Sequence, residues 1–345
     1  MTARLRSPWT AVPCAVAVVA VLDLVEPFGV RLGHLIGGLL TADLAVRAGL
    51  FTIVLVGLNL LMGYAGQASL GQAAFYGMGA FASAILTVRA HVLGIPPEVV
   101  SAWWWPWVVM VAAACAVAAF AWAVGWVILR LRGHYLAMAT LGLGIMVYIV
   151  LRENLGMPHL NLTGGFDGIV GVPRLRLGSA ALWPVGVYLL VVWAAALACV
   201  ALGENVVHSP AGRALRAIHG SEAAAESVGV DVGALKARIF ALSAGLASVA
   251  GSLYAHFQAA VVPDTFGFVP SLELVVMSAV GGMRTVWGAP LGATVVLLLE
   301  QLLRTHLLGL VPAVSGELEP VVFGVLLILL MRFRPSGLVQ AAPAP

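Results

Sequence analysis

The sequence predicts an all-α integral membrane protein, a polytopic helical bundle of about ten spans forming one transmembrane domain over residues 1–345. Three observations carry this. Of 345 residues, 61% are hydrophobic and only 10% charged, against about 25% charged in soluble domains, and the mean hydropathy is +1.03. Residues 48–88, 99–129, 133–151, 177–203 and 239–263 contain no Asp, Glu, Lys or Arg. Two apolar stretches are interrupted by glycine, at Gly63–Gln72 and at Gly281–Gly292. This composition excludes a water-soluble enzyme, a nucleic-acid-binding domain and a disordered tail.

A helix needs roughly 20 apolar residues to cross about 30 Å of hydrocarbon, and each expected span is bounded on that basis. The first, 8–28, follows Arg4 and Arg6; no small-residue cleavage site precedes Asp23 and Glu26, so it is expected to be a retained helix and not a signal peptide. The stretch 48–88 is too long for one helix and divides at its glycine and amide residues into 46–62 and 70–88. Trp103, Trp104, Trp105 and Trp107, after Pro96 and Pro97, read as an interfacial anchor on the outer side at the start of 103–129, with a buried aromatic cluster as the alternative. Spans at 133–151, 179–203 and 232–260 follow, then three short ones at 270–282, 288–304 and 317–331. Paired glycine interruptions in the two halves point to an internal repeat around a central path.

Arginine and lysine near helix ends set orientation. With the N-terminus inside, Arg4, Arg6, Arg130, Arg132, Arg213, Arg216, Lys236, Arg238, Arg284, Arg332 and Arg334 face the cytoplasm, and seven other arginines lie outside. The C-terminus is then cytoplasmic too.

Chemistry-bearing patterns are scarce. Cys14, Cys115 and Cys199 sit in apolar runs with no metal-ligand spacing and read as small hydrophobes. The eight histidines are scattered, mostly near expected helix ends, where wet interfacial histidines are common. There is no phosphate loop, no HExxH and no Gly-x-Ser-x-Gly elbow, so neither an ATPase nor a catalytic centre is expected on this chain, nor a cofactor or metal. Intramembrane charges are few, with Glu273 and the Glu300/Arg304 pair as the candidates, and that scarcity argues against ion coupling.

Four segments are left to carry function. The first holds Asn59, Gln67, Ser69 and Gln72 between Gly63, Gly66 and Gly71. Irregular chain at membrane depth must be protein-buried or line a cavity, so these amides line a substrate path or, on the plainer reading, act as interhelical packing bonds. If the chain stayed helical, Gly63, Gln67 and Gly71 would share one face. The second is the charged stretch 204–231. Ser209 caps a helix starting at Pro210, Gly220 ends it, Ser221 caps a second helix over 222–228 that Gly229 ends, and Asp231 caps the next span. This ordered loop reads as a docking platform for a cytoplasmic partner, with an amphipathic connector as the alternative. The third is the Gly-rich loop 152–178, a structured cap on the outer side. The fourth is the stripe Ser243, Ala247, Gly251 and Ala255, which admits a closely packed neighbour helix.

The run from Gly57 through Asn59, Gly63, Tyr64, Gly66, Gln67, Ser69, Gly71 and Gln72 to Phe75 resembles the signature of LivM-type permeases of branched-chain amino acid ABC importers. So do Leu131–Tyr135, Leu162–Gly168, Ser209–Ala214, Glu222–Gly229, Gly281–Pro290 and Phe333–Leu338. The resemblance covers about residues 45–338 in family order. His134 departs from it, standing where such permeases more often carry an aliphatic residue. It implies a transmembrane permease subunit of a binding-protein-dependent importer in a bacterial inner membrane, forming half of a pathway that a second, LivH-like permease completes. Two cytoplasmic ATPases, holding ATP and Mg, would dock on Ser209, Gly212, Arg213, Glu222, Glu226 and Gly229, and a periplasmic binding protein would deliver substrate. Relatives with these motifs carry urea, short amides or aromatic acids, so the substrate stays open. An ion-coupled secondary transporter is the competing class; it would work without an ATPase.

Overall fold

The structure is a computed structural model that describes residues 41–131, 133–154, 161–178, 180–182 and 185–302, together with 324, 325, 328, 332 and 337–339. The expected first span at 8–28, most of the last at 317–331, and Arg304 lie outside the described residues. Among the described residues the remaining eight expected spans all fall on helices. These are α1 (Ala42–Asn59), α2 (Gln72–Val88), α3 (Trp105–Ile128), α4 (His134–Arg152), α5 (Val185–His208), α8 (Val232–Gln258), α9 (Phe268–Gly281) and α10 (Gly288–Leu302), with the short α6 (Pro210–Gly220) and α7 (Glu222–Ser227) between α5 and α8. Six of the eight, counting the turns that extend α1 and α9, are long and apolar enough to cross a membrane; α2 and α10 are shorter apolar helices. The fold is thus an all-α membrane-type bundle with a few two-residue strands.

Two helix ends depart from the sequence expectation where a charged side chain finds a partner one turn away. Helix α1 starts at Ala42, four residues early: Thr41 accepts the Leu44 N–H, and Asp43 pairs with Arg47 at 3.4 Å one turn on. Helix α5 runs five residues past its expected end, and Glu204 pairs with His208 at 3.2 Å in that extra turn. The expected connector 204–231 is therefore helical from its first residue.

Helix α8 is the central element, packed against α1, α2 and α3. Its small-residue stripe brings backbones together. A Cβ on Gly251 would lie 1.9 Å from the Tyr76 carbonyl oxygen of α2, and one on Gly57 of α1 would lie 2.8 Å from Ser243 Oγ. On the far side α3 offers Val109, Ala113, Val117, Ala121 and Gly125 at four-residue spacing and turns Val111, Trp122 and Val127 outward. Helix α4 exposes Met138, Ile145, Met146 and Ile149. Large apolar side chains turned outward on α3 and α4 are as expected where lipid or a second membrane subunit covers the surface.

The end remote from α6 and α7 is capped by residues 161–178 and 180–182. Strand β1 (Ile169–Val170) pairs antiparallel with β4 (Ala260–Val261) after α8, and β2 (Arg176–Leu177) pairs with β3 (Ala180–Ala181) in a hairpin. Trp107 Nε1 donates to the Arg176 carbonyl at 3.0 Å. His256 corrects the expectation of wet histidines: it is 1% exposed, with Nδ1 2.6 Å from the Pro173 carbonyl oxygen and Nε2 2.9 Å from Ser83 Oγ. It ties the cap to α2 and α8 because both ring nitrogens find partners there.

Candidate functional site

The chain leaves the helix after Asn59. Leu60–Tyr64 forms one π turn, and residues 65–71 carry no helix. Gly66 adopts φ +68, a left-handed conformation that glycine adopts without strain. Gly63, Gln67 and Gly71 therefore do not share a helical face. The stretch turns back into the protein: Gln72, first residue of α2, bonds Ser243, eleven residues into α8, or about 16 Å along that helix at 1.5 Å per residue.

Helices α4, α8 and α9 hold this break by hydrogen bonds. The Leu70 N–H donates to Thr140 Oγ1 of α4 at 3.1 Å, and the Ala73 N–H to Ser271 Oγ of α9 at 3.2 Å. A Cβ on Gly71 would sit 2.3 Å from the Thr140 carbonyl oxygen. Thr140 and Ser271 went unnoticed in the sequence; the available signal was a small hydroxyl residue within a mostly apolar helix.

The four expected path residues are all buried, and they divide into two pairs. Asn59 is consumed by packing: its Nδ2 donates to the Thr285 carbonyl at 2.9 Å and its Oδ1 accepts from Ser278 Oγ at 2.5 Å. Gln72 is partly consumed, with Nε2 donating to Ser243 O at 3.0 Å and Ser243 Oγ at 2.9 Å, while its Oε1 has no partner. Gln67 and Ser69, 2% and 1% exposed, make no side-chain hydrogen bond. A buried amide left unmatched costs on the order of 1–3 kcal/mol, so the break presents neutral donors and acceptors ready for a polar occupant.

The second break, residues 282–287, meets the first. Gly282 has φ +111, and a Cβ on Gly63 would lie 1.8 Å from the Met283 carbonyl oxygen. Helices α9 and α10 touch through glycine on both sides of this turn: a Cβ on Gly281 would lie 2.0 Å from the Gly288 carbonyl oxygen. Residues 337–339 run alongside, the Leu338 N–H donating to Val280 O at 2.9 Å and the Val339 N–H to Gly281 O at 3.1 Å.

The α6–α7 segment is built as its capping residues imply. Ser209 accepts the Gly212 N–H, Ser221 the Ala224 N–H and Asp231 the Ala234 N–H; α7 ends at Ser227, one residue early. Ile218, Ala225 and Val232 form a small core of their own. Arg213, Glu226 and Gly229 are exposed, as a docking surface requires. Two other expected docking residues face inward. Gly212 is buried where a Cβ would meet the Val207 carbonyl oxygen at 2.2 Å, so it permits close approach of α6 to α5. The Glu222 carboxylate pairs with the buried ammonium of Lys236, the only lysine in the sequence, and so anchors α7 to α8. Val228, missed in the sequence, stands 76% exposed between Glu226 and Gly229.

Residues 40–331 match the family model described as "Branched-chain amino acid transport system / permease component". The chain is 28% identical to the high-affinity branched-chain amino acid transport system permease protein LivM of Escherichia coli K12, over 92% of this chain and 73% of the relative. The Salmonella typhimurium LivM is 29% identical, over 87% and 70%. The permease protein LivH of Escherichia coli K12 is 24% identical, over 84% and 91%. No solved structure gives a significant match.

Proposed function

The chain belongs to the branched-chain amino acid transport permease family, and from that premise we propose how it works. It is the transmembrane permease subunit of an ABC importer and forms half of the translocation pathway, the other half coming from a LivH-like permease. Branched-chain amino acids are the cargo. Two ATPase subunits, which hold the ATP and Mg, dock at the cytoplasmic face on the surface around Arg213, Glu226, Val228 and Gly229. A periplasmic binding protein delivers substrate to the face capped by residues 161–178 and 180–182. The chain lies in the bacterial inner membrane with both termini cytoplasmic.

The observation that carries this reading is the break between α1 and α2. Gln67 and Ser69 are buried there with unmatched polar atoms, and the α6–α7 segment abuts its rim. Neutral donors and acceptors escort a polar solute through the bundle without fixing it by charge. The same set suits urea or a short amide, and the binding protein then decides which cargo arrives.

The deciding experiment is uptake in proteoliposomes holding the permease pair, the ATPases and the binding protein. Uptake is expected to survive collapse of proton and sodium gradients and to stop when the ATPase loses its catalytic carboxylate. Accumulation that an ionophore abolishes and the ATPase mutant sustains would replace this reading with a secondary transporter. Charge reversal of Arg213 and Glu226 together is expected to release the ATPases from a folded permease; unchanged binding and transport would remove the docking assignment.

A further inference from the structure

One side chain of the α6–α7 segment touches both glycine breaks. His219, in the last turn of α6, lies with Nδ1 2.8 Å and Cγ 3.3 Å from where a Cβ on Gly66 would stand. Its Nε2 is 3.5 Å from Nη2 of Arg284, which sits in the turn of the second break. No other side chain fits at Gly66 without displacing the imidazole, and glycine's φ of +68 there keeps the backbone open to it.

His219 is exposed, and the helix that carries it is held by its neighbours. Helix α6 is seated on α5 through Gly212 and through Arg216, whose Nη1 donates to the Val207 carbonyl at 3.3 Å. Near the end of α5, a Cβ on Gly203 would lie 3.0 Å from Val286 of the second break and 3.0 Å from Val56 of α1. The two breaks are already in backbone contact at Gly63 and Met283. A displacement of α6 carries His219 with it. It reaches Gly66 and Arg284 together through one ring.

We propose that His219 is the positioning residue through which the α6–α7 segment holds both breaks in register and transmits its own movement to them. The imidazole does this by accepting at Nε2 from Arg284, whose guanidinium can only donate, while its ring packs on the Gly66 backbone. This deepens the function proposed above, and rests on it: the docking surface at Arg213 and Glu226 receives the motion, and His219 delivers it to the path lined by Gln67 and Ser69.

The test is the ratio of substrate moved to ATP hydrolysed in the reconstituted four-component importer, for wild type, His219→Ala and His219→Gln. With wild type, uptake that needs no ATPase would overturn the function itself and is read first. Given ATP-dependent wild-type uptake, His219→Ala is expected to keep its ATPases bound and hydrolysis within about twofold of wild type, while uptake falls about tenfold. His219→Gln, which retains an acceptor for Arg284, is expected to recover part of the ratio. Two results would overturn the inference. One is an unchanged ratio in His219→Ala. The other is uptake and hydrolysis falling together as the ATPases dissociate, which would make His219 a docking residue.

Discussion

Ser278 Oγ donates to Asn59 Oδ1 at 2.5 Å, and the Asn59 amide nitrogen donates onward to the Thr285 carbonyl at 2.9 Å. One buried amide thus joins the end of α1 to α9 and to the turn that follows it, across more than 200 residues of sequence. Bonds of this kind inside a membrane bundle average about 0.6 kcal/mol and reach about 1.7 kcal/mol, and an acceptor left unmatched adds to the loss. Asn59→Leu is accordingly expected to destabilise the chain by about 1–3 kcal/mol, read as a lowered unfolding midpoint in detergent. An unchanged midpoint would show that the clamp contributes nothing.

Accessibility separates the residues that line the break from those that tie it. With Cys14, Cys115 and Cys199 replaced, cysteine at 67 or 69 is expected to react with a small water-soluble thiol reagent at a rate that depends on nucleotide. Cysteine at 59 or 72 is expected to stay protected, because those positions are engaged with Ser278, Thr285 and Ser243. Equal protection at 67 and 69 in every nucleotide state would return the whole segment to a packing role.

Two glycine-to-alanine substitutions are expected to act in opposite directions. At Gly63 the new methyl would lie 1.8 Å from the Met283 backbone oxygen, which has no rotamer to move; overpacking of this kind costs about 1–3 kcal/mol. At Gly142, inside α4, no atom lies within 4 Å of the new methyl, and alanine in a helix interior is favoured over glycine by about 1 kcal/mol. Thermal unfolding of the purified chain should therefore show Gly63→Ala lowered and Gly142→Ala raised. Shifts of the same sign would contradict the packing described for the two breaks.

Lys236 and Glu222 provide a local test of the α6–α7 segment. Lys236→Met leaves the carboxylate without its buried partner, at a cost below the about 3–5 kcal/mol of a fully buried pair, since the Glu222 side chain is 28% exposed. The expected result is faster limited proteolysis between 221 and 231, with the double variant Lys236→Met/Glu222→Met restoring resistance. Equal cleavage in all three proteins would mean that the pair does not hold α7.

The sequence by itself determined the class and the local units. Composition and charge-free runs depend only on residue type, so α1, α3, α4, α5 and α8 were legible, as were the caps Ser209, Ser221 and Asp231, whose bonds reach only three residues along the chain. The polar break was legible as a segment, because glycine and amides stand out in an apolar run. Which of its residues were free was decided only by tertiary structure. Asn59 and Gln67 are both buried amides, and what separates them is whether Ser278 and Thr285, more than 200 residues away, come within 3 Å. The same holds for Glu222, turned inward by Lys236, and for His219, whose neighbours Gly66 and Arg284 lie in different halves of the chain. Periodicity and capping are written in neighbours along the sequence; the partner of a buried polar group is set by how the helices pack.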